Sequence, residues 1–169
     1  AGAGSTSGAK IGSMSRDIAV LRDALARYLP DGCRISALQP LATGHSNETY
    51  VIEGLDSILR LPPATASLLE AHGIMTQARI YEELRQRPGA PPAPGIRHIC
   101  EDAGVLGDPF FVMERVPGAS VNDYQLPEWF TSTTDEVRGL MCEQWVAAIA
   151  GIARLAPLRA LGAQVSPQD

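Results

Sequence analysis

The chain has 169 residues, of which 45% are hydrophobic and 20% charged, and it carries a formal net charge of −5. This composition is typical of one globular domain or of a small domain with an appendage, and no apolar run approaches the roughly 20 residues of a membrane-spanning helix. The negative charge argues against a nucleic-acid-binding surface, although a few local donors would be enough to bind one nucleotide.

The N-terminal part is predicted to be a leader followed by a helix. Residues 1–15 are rich in Gly, Ala and Ser and lack a hydrophobic signal core, which indicates a flexible leader or a cloning remnant. Apolar residues recur at helical spacing over residues 18–28, with Ser15 as a candidate cap and the Pro-Asp-Gly of residues 30–32 as a stop.

Five strands and a second helix are predicted next. Residues 35–41 suggest an irregular strand, and β-rich runs at 49–53 and 57–61 flank a tight hairpin. A helix covers 69–87, with an apolar stripe of Ile74, Ala78, Tyr81 and Leu84, and two further strands surround the turn at 101–107. This order predicts an α+β fold in which helices pack on a five-stranded antiparallel sheet.

After Gly118 the pattern becomes helical. Thr133 and Glu136 have the spacing of a capping box, and a long helix follows with apolar residues on one face. The residues of this apolar face are Val137, Leu140, Met141, Trp145, Ala148, Ile149 and Ile152.

The three cysteines indicate the compartment. They are widely spaced, at Cys33, Cys100 and Cys142, so they form no CxxC pair, and no histidine lies at zinc-binding spacing from them. We therefore expect unpaired, buried thiols in a reducing environment, which predicts a cytoplasmic protein.

Three segments are candidates for a nucleotide site, and the first is a turn. Gly44-His45-Ser46-Asn47 places a glycine beside a hydroxyl and an amide between two predicted strands. Backbone N–H groups in such a turn can form a concave nest for phosphate oxygens, although the same residues also form ordinary hairpin turns. No Gly-Lys-Ser/Thr sequence is present, so the segment is not a Walker loop.

The second candidate is Arg60, which interrupts an apolar strand. Alternation along a strand places Arg60 on the same side as Ile58 and opposite Leu59 and Leu61. A cation at this position needs a partner or an anionic ligand, because an uncompensated buried charge is costly. The alternative is an arginine on an edge strand that reaches solvent.

The third candidate is the strand that begins near Phe110 and ends at Pro117-Gly118. A buried strand that passes into such a break can offer backbone donors and acceptors, which an adenine edge can pair with. The alternative is a core strand that simply leaves a sheet.

In this order the segments resemble the aminoglycoside phosphotransferase-like family, also called choline/aminoglycoside kinase-like. The resemblance covers residues 38–118, and more loosely the rest to Leu161, and it includes Leu59-Arg60-Leu61-Pro62-Pro63 and Ala71-His72. The branch that it resembles most is related to the kinase-like part of certain acyl-CoA dehydrogenase fusion proteins. The resemblance implies a protein-kinase-like N-terminal lobe at residues 16–118 and the start of a second, helical lobe at 119–169.

The resemblance also implies ATP as the cofactor. The residues implied to bind the nucleotide are Gly44, His45, Ser46, Asn47, Arg60, Met113, Glu114 and Val116. Ser46 would contact the phosphates directly, and Arg60 would take the place of the strand lysine that pairs with them. Backbone groups of Glu114 and Val116 would meet adenine, and Met113 would line the pocket.

Two departures from the family pattern concern activity. Such kinases place an acid on the second helix to pair with the strand cation, and Gln77 stands there in this chain. The sequence contains no His-Gly-Asp catalytic loop and no recognisable metal-binding aspartate, so no catalytic or metal-binding residue is assigned. The expected function is the nucleotide-binding lobe of a kinase that would use ATP and Mg²⁺ to phosphorylate a small-molecule hydroxyl, with its catalytic lobe missing.

The alternative function is a non-catalytic binding module that keeps the fold of the lobe. The partners expected under the first hypothesis are a nucleotide and, through the missing lobe, a small-molecule acceptor. Without that lobe the apolar face of the helix at 137–155 would lack cover, which predicts self-association or a rearranged packing.

Overall fold

The computed structural model describes residues 16–30, 32–41, 47–64, 68–119, 121 and 126–155, with side chains described for all of these except 68–72. The predicted leader at 1–15 lies outside the described residues. The predicted order of elements is confirmed, with bounds that shift by one or two residues. The helices and strands are α1 (Ile18–Tyr28), β1 (Ala37–Pro40), β2 (Glu48–Glu53), β3 (Ser57–Leu61), α2 (Leu68–Gln86), β4 (Ile96–Cys100), α3 (Ala103–Leu106), β5 (Phe110–Glu114), α4 (Glu128–Thr131) and α5 (Asp135–Arg154).

The five strands form one antiparallel sheet in the order β1-β2-β3-β5-β4, which confirms the predicted α+β fold. The predicted tight hairpin joins β2 to β3, and Gly54 in it has a φ of 95°. A side chain at this position would place its Cβ 2.3 Å from the carbonyl oxygen of Arg34. Only glycine therefore fits this turn.

Each face of the sheet carries a hydrophobic layer. α1 and α3 cover one face, where Leu25 and Phe110 are fully buried, and α2 covers the other, where Ile74 and Phe111 are fully buried. Consecutive strand residues point to opposite sides, so the two adjacent phenylalanines enter different layers. We call the two sides the α1 face and the α2 face.

Two helix caps differ from the predicted ones. The carboxylate of Asp17, and not Ser15, caps α1, and the hydroxyl of Thr134, and not Thr133, caps α5. In both cases the cap is the residue directly before the first helical residue, where a side-chain oxygen can reach the free N–H groups of the first turn. The predicted turn at 101–107 contains the short helix α3.

α5 belongs to neither layer. None of its described side chains is buried, and the helix face that carries Trp145 and Ile149 is exposed. Gly151 comes close to the loop at Gly89 and Pro91. Most of the apolar face predicted from the sequence is therefore left uncovered by the described part of the chain, with only Met141 and Ala148 half-buried. No described helix is both long and apolar enough to span a bilayer.

All three cysteines are free thiols, as predicted. Cys100 is buried and Cys33 is half-buried, but Cys142 is exposed. The prediction of buried thiols was wrong for Cys142 because this residue lies on α5, which the layers of the sheet do not cover.

Candidate functional site

Arg60 lies on the α2 face of β3, an inner strand. Its neighbours Leu59 and Leu61 are fully buried on the α1 face, which confirms the predicted alternation. The alternative of an edge-strand arginine is wrong, because β2 and β5 flank β3. The Nε of Arg60 is buried, and its Nη1 donates a hydrogen bond to the hydroxyl of Tyr81 on α2 at 3.4 Å. The guanidinium therefore lies against α2.

Asn47 is the last residue of the predicted phosphate turn, whose other members, Gly44, His45 and Ser46, lie outside the described residues. The Nδ2 of Asn47 donates a hydrogen bond to the Oε1 of Gln77 at 3.3 Å. Gln77 is the α2 residue that stands where an acid was expected. The structure thus places α2 beside the end of the predicted turn.

α2 connects the two candidates for phosphate binding. Gln77 and Tyr81 are four residues apart in the helix, so their side chains lie on the same side of it. One contacts Asn47 and the other contacts Arg60. Asn47 and Arg60 therefore lie on one side of the sheet, where the β2–β3 hairpin places them close together and α2 contacts both. The contact of Tyr81 with Arg60 was not predicted, because the place of Tyr81 in the apolar stripe of the helix gives no sign of a polar contact.

Met113 also lies on the α2 face, next to Arg60. In the sheet register Met113 pairs with Ile58, and Phe111 pairs with Arg60, so Met113 is the diagonal neighbour of Arg60. Its partly buried side chain packs against the cluster that contains Phe111 and Ile74. This position is suitable for lining a pocket beside the guanidinium.

Glu114 ends β5, and its side chain has a structural contact. The carboxylate accepts a hydrogen bond from the N–H of Gly95 at 3.0 Å and lies 3.3 Å from the Nη1 of Arg85. The N–H of Glu114 donates to the carbonyl of Gly95 at 2.8 Å. Glu114 could therefore offer adenine its backbone carbonyl but not its N–H. Val116, two residues later, is 64% exposed and accessible to a ligand.

A polar network around Arg16 was not predicted from the sequence. Arg16 donates from Nε to Glu48 at 3.0 Å, and from Nη2 to Asp108 at 2.6 Å and to the carbonyl of Pro62 at 3.1 Å. Glu48 also accepts a hydrogen bond from the hydroxyl of Tyr50 at 2.8 Å. We call Arg16, Glu48, Tyr50 and Asp108 the Arg16 network. Since Glu48 directly follows the predicted phosphate turn, the network fixes the strand end to which the turn is attached.

The Arg16 network changes the proton affinity of two of its members. Burial alone would lower the pKa of Arg16, but the hydrogen bond to Asp108 and the negative charges of Glu48 and Asp108 outweigh it, so the pKa of Arg16 is raised. Burial and the hydrogen bond to Glu48 raise the pKa of Tyr50 to about 12. The phenol therefore remains a hydrogen-bond donor over the whole physiological range.

A Tyr50→Phe variant should show this shift as a pH-dependent difference in stability. Because the folded-state pKa of Tyr50 lies above its ordinary value of 10.0, its hydroxyl stabilises the fold fully below pH 10 and loses this contribution as the pH rises through 12. The advantage of the wild-type protein over the variant should therefore be constant below pH 10 and should shrink as the pH rises towards 12, because burial disfavours the charged phenolate. Urea denaturation at each pH measures the difference, and a constant gap would contradict the assignment.

A cleft of about 300 Å³ lies on the α1 face, away from Arg60. Its lining is mostly apolar, and none of the residues implied to bind a nucleotide contributes to it. The residues around the cleft are Arg16, Asp17, Val20, Leu21, Ala24, Val105, Leu106 and Gly107.

The sequence is similar to a known enzyme family and to parts of two larger proteins. The model of the "Phosphotransferase enzyme family" matches residues 37–166. Mouse acyl-CoA dehydrogenase family member 10 is 33% identical over 119 residues, and mouse family member 11 is 31% identical over 117 residues. Each match covers 66% of this chain, but 11% of the first protein and 15% of the second. The chain thus spans a small part of the length of these relatives.

Two solved structures have a similar fold. A mutant of aminoglycoside 2'-phosphotransferase-IIIa in complex with GDP has a TM-score of 0.69 and 16% identity, over 90% of this chain and 47% of that one. ADP-bound aminoglycoside phosphotransferase APH(2'')-Ib has a TM-score of 0.56 and 11% identity, over 79% of this chain and 40% of that one. At such identities the likeness concerns the fold alone, and it confirms the predicted protein-kinase-like fold.

Proposed function

The chain belongs to the phosphotransferase enzyme family, and on this premise we propose that it is the nucleotide-binding lobe of a kinase. The complete enzyme would transfer the γ-phosphate of ATP to a hydroxyl group of a small molecule. The observation that carries the proposal is the position of Arg60. It lies on an inner strand, on the same face as Met113, and contacts the helix that also contacts Asn47.

Arg60 and the turn at residues 44–47 would bind the phosphates. A guanidinium offers a planar fork of N–H donors that matches phosphate oxygens, and it keeps its charge at physiological pH. The backbone N–H groups of the turn and the hydroxyl of Ser46 would contact the phosphates as well. Together these groups would stabilise the charge of the transferred phosphoryl group, which is most of what a protein contributes to phosphoryl transfer.

The end of β5 would bind the nucleobase. The carbonyl of Glu114 and the N–H of Val116 would pair with the adenine edge, and the side chain of Met113 would pack against the ring. The two solved relatives are described with GDP and ADP. This supports a nucleotide as the ligand, for which we propose ATP.

Residues 16–118 would form this lobe, and residues 119–169 would begin a second one. Among the residues that the structure describes, no group of three or more His, Cys, Asp or Glu side chains could hold a metal ion. Because the sequence contains no His-Gly-Asp catalytic loop, we assign the Mg²⁺ ligands, the catalytic base and the acceptor site to the second lobe, and nucleotide binding to this chain. The complete enzyme would act in the cytoplasm, where thiols stay reduced.

Calorimetric titrations of the 169-residue chain with ATP and with adenosine test the proposal. ATP should bind more tightly than adenosine, because only ATP carries the phosphates that Arg60 and the turn would contact. Equal affinities for the two ligands would contradict the phosphate site. The chain alone should transfer no phosphate, and transfer by this chain would contradict the assignment of the catalytic groups to another lobe.

The second candidate function is a binding module without nucleotide chemistry. Two observations favour it: Gln77 contacts Asn47 where the family pattern has an acid, and the apolar face of α5 is exposed. Under this hypothesis the chain would bind a protein through α5, and Arg60→Ala would leave every measured affinity unchanged.

The exposed face of α5 should make the chain self-associate under either hypothesis. Trp145 is 68% exposed, and Ile149 and Val146 lie beside it on a segment with no charged side chain between residues 145 and 153. A helix that is apolar all round is normally buried. Sedimentation equilibrium should show dimers or larger species at micromolar concentrations, and Trp145→Gln combined with Ile149→Gln should shift them to monomers.

The matched control for this experiment is Val20→Gln, which replaces a 64% exposed apolar residue of α1. It should leave the association unchanged. A monomeric wild-type chain over the whole concentration range would contradict the prediction.

A further inference from the structure

Tyr81 occupies a position from which a hydroxyl can hold Arg60 in place. Its ring is half-buried and meets Phe111 edge-on, with centroids 6.3 Å apart and an interplanar angle of 78°. The ring also packs against the cluster that contains Ile74 and Ala78. Because these contacts fix the ring, they also fix the phenolic oxygen at the far end of it.

The contact between this oxygen and Arg60 restricts the orientation of the guanidinium. Arg60 pairs with Phe111 across β3 and β5, so the residue that holds the ring of Tyr81 is also the strand neighbour of Arg60. The Nη1 of Arg60 donates to the hydroxyl of Tyr81 at 3.4 Å. A long arginine side chain can adopt many rotamers, and a bond at one Nη reduces the number of orientations open to the plane of the donor fork. The direction of this plane decides whether the fork can bind two phosphate oxygens at once.

The neighbouring contact of α2 supports the same role for the helix. Gln77 precedes Tyr81 by about one helical turn and contacts Asn47 at 3.3 Å. The two contacts together fix α2 to both described residues of the predicted phosphate site. The contacts that α2 makes with Arg60 therefore include an uncharged hydroxyl, that of Tyr81. The side chain of Gln77 contacts Asn47 at the end of the predicted turn.

We propose that Tyr81 is a positioning residue that orients the Arg60 guanidinium towards the phosphates of the bound nucleotide. This inference rests on the function proposed above, since it assumes that Arg60 binds phosphate. It goes beyond that function because it assigns part of the phosphate affinity to a side chain that does not itself touch the nucleotide. Tyr81 would determine how well the chain distinguishes a nucleoside triphosphate from a nucleoside.

The test uses Tyr81→Phe, which removes the hydroxyl and keeps the ring that packs on Phe111. The dissociation constants of ATP and adenosine are measured by calorimetry for the wild-type chain, for this variant and for Arg60→Ala. Tyr81→Phe should weaken ATP binding about fivefold, the size expected from the loss of one ordinary intramolecular hydrogen bond. It should leave adenosine binding unchanged.

Tyr28→Phe is the matched control, because the hydroxyl of Tyr28 donates to the carbonyl of Ile99 at 3.3 Å and the ring lies on the α1 face. It removes the same atom from the other side of the sheet and should change neither affinity. Thermal unfolding of each variant shows whether the fold is retained.

A double variant separates positioning from a general structural effect. If Tyr81 acts through Arg60, then Tyr81→Phe should have no further effect on ATP binding once Arg60 is alanine. An equal loss of ATP affinity in both backgrounds, or wild-type ATP affinity in Tyr81→Phe, would overturn the inference.

The outcomes also separate this inference from the proposed function. If the wild-type chain prefers ATP to adenosine and Arg60→Ala removes the preference, but Tyr81→Phe does not reduce it, only the role of Tyr81 fails. If the wild-type chain shows no preference for ATP, the phosphate site fails and the role of Tyr81 fails with it.

Discussion

Replacement of Arg16 by methionine is expected to lower the free energy of unfolding by about 3 kcal/mol. The side chain of Arg16 is only 13% exposed, and it lies between the carboxylates of Glu48 and Asp108, which are 22% and 27% exposed. Methionine keeps much of the apolar stem and removes the charge. Two partly buried carboxylates would then lose their cation, and the carbonyl of Pro62 would lose its donor.

The control for this variant is Arg22→Met. Arg22 also forms an ion pair, with Asp23 at 2.7 Å, but both side chains are well exposed, at 40% and 55%. Exposed pairs contribute little, so this change should stay within about 0.5 kcal/mol. Urea denaturation followed by circular dichroism measures both variants. A loss below about 1 kcal/mol for Arg16→Met would show that the network does not hold the lobe together.

Replacement of Arg60 by alanine is expected to weaken ATP binding at least tenfold and to leave adenosine binding unchanged. Hydrogen bonds between a charged donor and phosphate are each worth about 1.5 to 3 kcal/mol, and a tenfold change in affinity is about 1.4 kcal/mol. Arg60→Lys should give an intermediate affinity, because lysine keeps the charge but cannot bind two oxygens with a planar fork.

Arg97→Ala is the control for this variant. Arg97 is also a strand arginine, on β4, and its Nη1 donates to the carbonyl of Leu55 at 3.1 Å. Its loss should not change the affinity for ATP. If Arg60→Ala binds ATP as well as the wild-type chain does, Arg60 is not a phosphate ligand and the binding-module hypothesis gains support.

The elements of the fold could be predicted because their signals are local. The alternation around Arg60 gave the correct face of β3, and the stripe that begins at Ile74 gave the buried side of α2. The sheet order could not be derived in the same way. β5 lies between β3 and β4, and this placement depends on contacts between segments that are separated by a helix and a loop.

The strand positions of the candidate site residues could be predicted from the sequence, but the contacts around those residues could not. Arg60 could be located because it interrupts an apolar strand, whereas Met113 was assigned from the family resemblance. The bond between Arg60 and Tyr81 joins two elements, and Tyr81 looks like an ordinary member of an apolar stripe. Arg16 contacts Glu48, 32 positions later, and Asp108, 92 positions later, and such distances carry no periodic pattern.

The two capping residues could not be predicted either, for a local reason. Ser15 and Thr133 have suitable side chains, but the cap is decided by the first residue that adopts helical geometry. Asp17 and Thr134 are nearer to that residue and form the bonds instead. Pattern rules identify the type of residue, and the backbone of the folded chain selects which one is used.

The most direct test of a phosphate site at Arg60 and Asn47 is a two-dimensional ¹H–¹⁵N NMR titration of the 169-residue chain with ATP and with adenosine. ATP should shift the amide signals of Asn47, Arg60, Met113 and Val116, and adenosine should shift only those at the end of β5. Shifts confined to the residues around the cleft between α1 and α3, or no shift at millimolar ATP, would contradict the account.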